Sequence, residues 1–116
     1  MIVLWGSNAR ETHPIFFHHV LAALRRGARL YVVDPRRTSS AQWAHRWLGL
    51  DVGTDIVLAN AVAREIIHAG LVNETFVRRA TTGFAEFAAS VEPWTLERAE
   101  EITGVPSDAI RELAHA

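Results

Sequence analysis

The chain has 116 residues, enough for one modest core but short for an enzyme that houses several cofactors, so a piece of a longer protein is expected. A hydrophobic share of 49% with 22% charged residues is ordinary for a globular α/β chain, and a net charge of −1 gives no bulk attraction to nucleic acid or anionic membrane. With no cysteine there is no disulfide, no thiolate metal site and no ligand for an iron–sulfur cluster.

No apolar run approaches the roughly 20 residues of a membrane span, and Met1 leads straight into an apolar run without a basic region or cleavage site. A soluble, cytoplasmic chain is the expectation. Every strongly basic side chain is arginine, which suits bidentate pairing with phosphate.

Ile2-Val3-Leu4-Trp5 is short, β-branched and followed by glycine, as in a buried parallel strand, and is expected at the centre of a sheet. It breaks into Gly6-Ser7-Asn8, where glycine permits φ > 0 and the polar side chains add donors beside exposed N–H groups. Thr12 or His13 can cap a helix with Pro14 at its first position, running to about Arg26 with Phe17, Val20, Leu21 and Leu24 toward the sheet. A second strand, Ala28 to Val33, breaks into Asp34-Pro35-Arg36-Arg37-Thr38. Strand, helix and strand make a right-handed βαβ crossover, which brings both polar turns to the carboxyl edge of a parallel sheet, where such sheets bind ligands.

Ser39 to Ala44 reads as a short helix or turn, and Arg46 to Leu50 as a third strand that leads into Asp51-Val52-Gly53-Thr54-Asp55. Thr54 or Asp55 can cap the next helix, whose apolar stripe is Val57, Leu58, Ala61, Val62, Ile66 and Ala69 before Gly70 ends it. Short helices follow, from Asn73 to about Arg79, Gly83 to about Val91, Thr95 to Gly104, and Pro106 to about Ala114. The fold class is therefore α/β: a Rossmann-like three-layer arrangement with a short parallel sheet flanked by helices, and a helical carboxyl-terminal half. We expect one domain over 1–116, with a βαβ ligand-binding part at 1–70 and a helical part at 71–116.

Three polar turns after three successive strands would meet at one edge, where different turns could hold a phosphate, a sugar and a base. The turn after the first strand lacks both the G-x-G-x-x-G spacing of dinucleotide folds and the Gly-Lys-Ser/Thr of P-loops. Asp34, at the end of the second strand, can accept from ribose hydroxyls or simply fix its turn. Asp55 can accept two parallel hydrogen bonds from the N1–H and amino edge of guanine, which adenine cannot offer; a helix-cap role for it is an equal alternative. Arg36, rather than Arg37, is the candidate for a diphosphate. His18 and His19 are neighbours on different sides of a helix without an acidic partner at ligand spacing, so no metal site is expected. His45, His68 and His115 read as isolated surface or packing residues, and Trp5, Trp43, Trp47 and Trp94 mainly as core, with Trp5 able to touch a ligand. No nucleophile–base or paired-carboxylate arrangement can be read from the spacing.

Leu4-Trp5-Gly6-Ser7-Asn8, Glu11-Thr12-His13-Pro14, Val33-Asp34-Pro35-Arg36-Arg37-Thr38, Gly53-Thr54-Asp55 and Glu101-Ile102-Thr103-Gly104-Val105-Pro106, in that order, resemble the molybdopterin oxidoreductases of the dimethyl sulfoxide reductase family. The formate dehydrogenase alpha subunit is the nearest in flavour, with nitrate reductases as relatives. The resemblance covers essentially the whole chain and implies a domain that binds molybdopterin guanine dinucleotide (MGD), one of the two in bis-MGD, with molybdenum or tungsten in the parent enzyme. It implies that Trp5, Gly6, Ser7, Asn8, Glu11 and Thr12 wrap the diphosphate. Asp34, Pro35, Arg36 and Thr38 would reach the ribose and neighbouring groups, and Gly53, Thr54 and Asp55 would hold guanine. The family's cysteine cluster for iron–sulfur, its metal-ligating residue and its catalytic His and Arg have no counterpart here, so this chain alone is expected to be inactive. Partners expected are the remaining domains of the parent, and a second copy through surface that those domains would cover. A stand-alone nucleotide- or phosphate-binding module without a redox role is the alternative.

Overall fold

Three strands form a wholly parallel sheet in the order β1-β2-β3, with β1 at Ile2–Trp5, β2 at Leu30–Val33 and β3 at Arg46–Leu48. The computed structural model describes all residues 1–116. The chain falls into two compact units, 1–52 and 53–116. The division comes at the third polar turn, so the long helix expected with the βαβ part groups instead with the helices that follow it.

In the first unit β2 is the central strand and all four of its residues are buried, which is what a continuous Leu-Tyr-Val-Val run encodes. The expected central strand, β1, lies at an edge: Ile2 to Trp5 pair only with Leu30 to Val33, and Val3 is exposed. Burial of a four-residue apolar run says that a strand packs against something, not how many strands flank it. A four-residue helix, α1 at Ala9–Thr12, precedes the expected one, α2 at Pro14–Arg25. A single turn has no period to read. Phe17 and Val20 of α2 pack with Leu4, Leu30, Val32 and Ala41 in one cluster, joined by Leu21 and Leu24, as the helical spacing predicts. A single 3-10 turn at Ala41–Trp43 leads into β3, and Trp43, expected in the core, is half-exposed.

The second unit is built around α3 (Asp55–His68), with α4 at Glu74–Ala80, α5 at Phe84–Val91, α6 at Leu96–Thr103 and α7 at Ser107–His115. α3 packs against α5, α6 and α7. Leu58 and Ala61 are its fully buried residues, while Ala69 at the end of the expected stripe is exposed. Asn73 and Thr95 cap α4 and α6, accepting from the backbone N–H of Phe76 and Arg98, and Gly104 closes α6 in the left-handed conformation. His13 and Thr54 stand at the N-cap positions of α2 and α3 without a side-chain capping hydrogen bond, and Asp55 is the first-turn acid of α3.

His68 and His115, expected as isolated, are both paired. Glu92 takes His68 Nε2 at 2.7 Å and Arg64 at 3.0 Å, and Glu65 takes His115 Nε2 at 3.0 Å and Arg111 at 3.3 Å. These pairs are 24 to 50 residues apart in sequence, beyond any local pattern. Hydrogen bonds from His68 and then Arg64 hold the Glu92 carboxyl below its ordinary 4.5. No helix is long and apolar enough to cross a membrane.

Two outcomes follow from this packing. A carboxyl whose folded pKa is depressed stabilises fully above its unfolded value and loses that contribution as pH falls through the folded one. The melting temperature of Glu92→Gln should therefore lie below that of the parent at neutral pH, with the gap closing as pH falls through the depressed folded-state value and both states become protonated; a gap independent of pH contradicts it. In the first unit, a Cβ on Gly49 would sit 2.6 Å from the Trp47 ring. Gly49→Ala should cost about 1–3 kcal/mol in denaturant unfolding and alter tryptophan emission, because the indole must move; unchanged stability and emission contradict this packing.

Candidate functional site

The first turn begins where β1 ends. Gly6 N–H donates to Val33 O at 2.8 Å, continuing the ladder one residue, and Gly6 then takes φ +58°, which a side-chain-bearing residue rarely adopts. The backbone N–H groups of Ser7 and Asn8 find no backbone acceptor within the unit, and the chain enters α1.

Asn8 does two jobs there. Its carbonyl receives the N–H groups of Glu11 at 3.0 Å and Thr12 at 3.1 Å, and the Thr12 hydroxyl at 3.2 Å, which closes α1. Its side-chain Oδ1 turns away from the helix and accepts from Ser40 Oγ at 3.0 Å and Ser39 Oγ at 3.2 Å. Ser40 is completely buried, and its oxygen also accepts from Arg10 N–H at 3.0 Å. Ser39 Oγ lies closer to Glu11 Oε1, at 2.8 Å, so its one proton goes mainly to that carboxylate and the firm bond to Asn8 is Ser40's. Hydrogen bonds from Ser39 and then Asn8 keep the Glu11 carboxyl below its ordinary value, with smaller help from Arg36 and Arg10. The turns at 6–12 and 34–40 are thus tied together through side chains some 30 residues apart.

The second turn is fixed from within. Asp34, buried at the end of β2, accepts from Arg36 N–H at 2.8 Å through Oδ1, and Thr38 N–H reaches Arg36 O at 2.8 Å. The Trp47 indole N–H donates to Asp34 O at 2.8 Å from β3, and the Arg37 guanidinium stands 5.8 Å from the Trp47 ring centre. Arg37 is therefore placed over an aromatic ring, and Pro35, Arg36 and Arg37 are all exposed. Thr38 is about nine-tenths buried, and its Oγ1 is the one buried side-chain polar atom without a hydrogen-bond partner.

Of the expected site residues, Trp5, Gly6, Ser7, Asn8, Glu11, Thr12, Asp34, Pro35, Arg36 and Thr38 all lie in the first unit, and Asn8 and Glu11 join its two polar turns directly. Gly53, Thr54 and Asp55 open the second unit: Gly53 has φ +87°, Thr54 precedes α3, and Asp55 is its first residue and first-turn acid. Ser39, Ser40 and Trp47 were not among the expected residues. The hydroxyl run Thr38-Ser39-Ser40 beside a polar turn could have pointed to the first two, whereas nothing in the spacing of β3 shows that Trp47 reaches back to Asp34. No group of three or more His, Asp or Glu side chains could hold a metal ion.

The model of the molybdopterin oxidoreductase family matches residues 1–109. Formate dehydrogenase H of Escherichia coli is 39% identical over 114 residues, which are 98% of this chain and 16% of that protein. A nitrate reductase of Symbiobacterium thermophilum is 35% identical over 119 residues, covering 94% of this chain and 16% of its own length. Among solved structures, acetylene hydratase from Pelobacter acetylenicus superposes with a TM-score of 0.89 at 36% identity, over 97% of this chain and 16% of that one. The chain thus spans about a sixth of the length of these relatives, and by the family match and these identities it belongs to the molybdopterin oxidoreductase family.

Proposed function

We propose that this chain is a cofactor-holding segment of a molybdenum- or tungsten-dependent oxidoreductase and that it anchors the guanosine diphosphate end of molybdopterin guanine dinucleotide. The observation that carries this reading is the buried Thr38 hydroxyl without a partner, beside two polar turns that Asn8 ties together. An unsatisfied buried hydroxyl costs about 1–3 kcal/mol, which a ligand oxygen would recover. The donor set around it suits a diphosphate: the Ser7 and Asn8 amides, the exposed Arg36 guanidinium and the Thr38 hydroxyl.

In this reading Trp5, Gly6, Ser7 and Asn8 wrap the diphosphate, with Thr12 holding the end of the turn. Glu11 is anionic at neutral pH and occupied by Ser39, so it positions the second turn and faces no phosphate. Asp34 spends Oδ1 on its own turn and offers Oδ2 to a ribose hydroxyl. Pro35 sets the course of that turn, and in the second unit Asp55, preceded by Gly53 and Thr54, offers the paired carboxylate acceptors that a guanine edge takes. When bound, the pterin and its metal supply the redox chemistry; the residues of this chain bind and orient. The complete protein, with bis-MGD, an iron–sulfur cluster and the remaining domains, would oxidise formate to carbon dioxide, and this chain alone would turn over no substrate. The identity to a nitrate reductase favours nitrate as the second reading for the complete protein.

Thermal unfolding with GDP against ADP tests the base preference. A saturating ligand at 100 times its Kd stabilises by about 2.7 kcal/mol, so GDP should raise the melting temperature by several degrees more than ADP, and Asp55→Asn should erase the difference. Equal shifts contradict the guanine assignment, and no shift with either contradicts the cradle. Asn8→Ala should weaken GDP and ADP alike by roughly tenfold, the value of one lost hydrogen bond, leaving their ratio unchanged; a changed ratio would place Asn8 on the base instead.

A further inference from the structure

Outside this cradle, the first unit carries an open cleft of about 300 Å³ lined by Arg10, Pro14, Phe17, His18, Leu21 and Trp43. Pro14, His18, Leu21 and Arg25 recur at i, i+4, i+7 and i+11, one row along α2, so Arg25 extends the line of the cleft past Leu21. From Pro14 to Arg25 that row measures about 16 Å at 1.5 Å per residue, the span of about five residues of extended chain. Its chemistry runs from Arg10 at one end, through Phe17, Leu21, the half-exposed Trp43 ring and the exposed His18 imidazole, to Arg25 just past the cleft.

The surroundings are one-signed. Between Met1 and Val33 the sole acidic residue is Glu11, against Arg10, Arg25, Arg26 and Arg29. Glu11 is bonded to Ser39 and is only weakly attracted by Arg10, and the Arg10 and Arg25 side chains are exposed. Only the backbone N–H of Arg10 belongs to the Ser40 network, so its guanidinium is available to a partner.

We propose that this row is a docking site for an extended acidic segment of a partner protein, with one large apolar side chain between acidic residues. The apolar side chain enters the cleft between Pro14, Leu21 and Trp43, and carboxylates on either side pair with Arg10 and Arg25. Arginine favours this use, since its planar fork matches a carboxylate and its stem covers apolar surface. The proposal is independent of the cofactor reading, because none of its side chains belongs to the diphosphate cradle.

The test is a titration of the intact chain with the blocked peptide Glu-Asp-Leu-Asp-Glu, followed by amide NMR shifts and by tryptophan emission. Saturable binding is expected, with shifts confined to α1, α2 and the segment around Trp43. Arg10→Glu combined with Arg25→Glu should weaken it at least tenfold while circular dichroism stays unchanged, and Trp43→Phe should remove the emission change but keep the NMR shifts. The reversed peptide Lys-Lys-Leu-Lys-Lys should not bind. Four results overturn the proposal: no saturable binding, equal binding of both peptides, tighter binding of a five-nucleotide single strand, or a chain that self-associates through Arg10 and Arg25 in sedimentation.

Discussion

The side-chain oxygen of Asn8 is the contact on which the first unit's polar edge depends. A βαβ crossover brings two turns to the same edge of a sheet, but it does not fix their spacing, since each turn is a short loop free to rock on its strand. Asn8 removes that freedom by taking the hydroxyl of Ser40 while its main chain holds α1, and Ser39 reaches Glu11 beside it. Ser40 is fully buried and has both its proton and its oxygen engaged, so its end of this part-buried link is shielded from water.

A second brace comes from β3. Trp47 reaches under the second turn to the Asp34 carbonyl, lies over Gly49, and presents its face to Arg37. The adjacent arginines, both exposed, differ in that Arg37 stands against the Trp47 ring and Arg36 does not. The turn is thereby held from the strand before it, the strand after it and the first turn opposite. Pre-setting donors in this way reduces what a ligand must order on binding. The side-chain oxygen of Thr38, which no protein group satisfies, is the atom left over when these braces are complete.

Much of this was legible in the sequence, for identifiable reasons. Buried parallel strands appear as unbroken apolar runs, and helices as 3.6-residue stripes, so β1, β2, α2 and α3 could be placed from Ile2, Leu30, Phe17 and Leu58 outward. Asn73, Thr95 and Gly104 marked helix ends because capping is a local exchange of hydrogen bonds. What escaped was non-local. The edge position of β1 depends on which strands are present, and α1 is a single turn with no period. The grouping of α3 with the later helices depends on packing against α5, α6 and α7, and the pairing of His68 and His115 with acids far along the chain is likewise tertiary. The same limit applies at the polar edge: Asn8, Asp34 and Thr38 were visible as turn residues, whereas Ser40 and Trp47, which set their spacing, were not.

Asn8 and Ser40 act as one coupled pair that joins the two turns. A double-mutant cycle of Asn8→Ala and Ser40→Ala, read by denaturant unfolding of the intact chain, measures that coupling directly. An interaction energy of about 1–3 kcal/mol is expected, because either single substitution leaves the other partner without its hydrogen bond in a part-buried site. Strictly additive effects of the two substitutions would show that the turns are not joined through this bond and would contradict it.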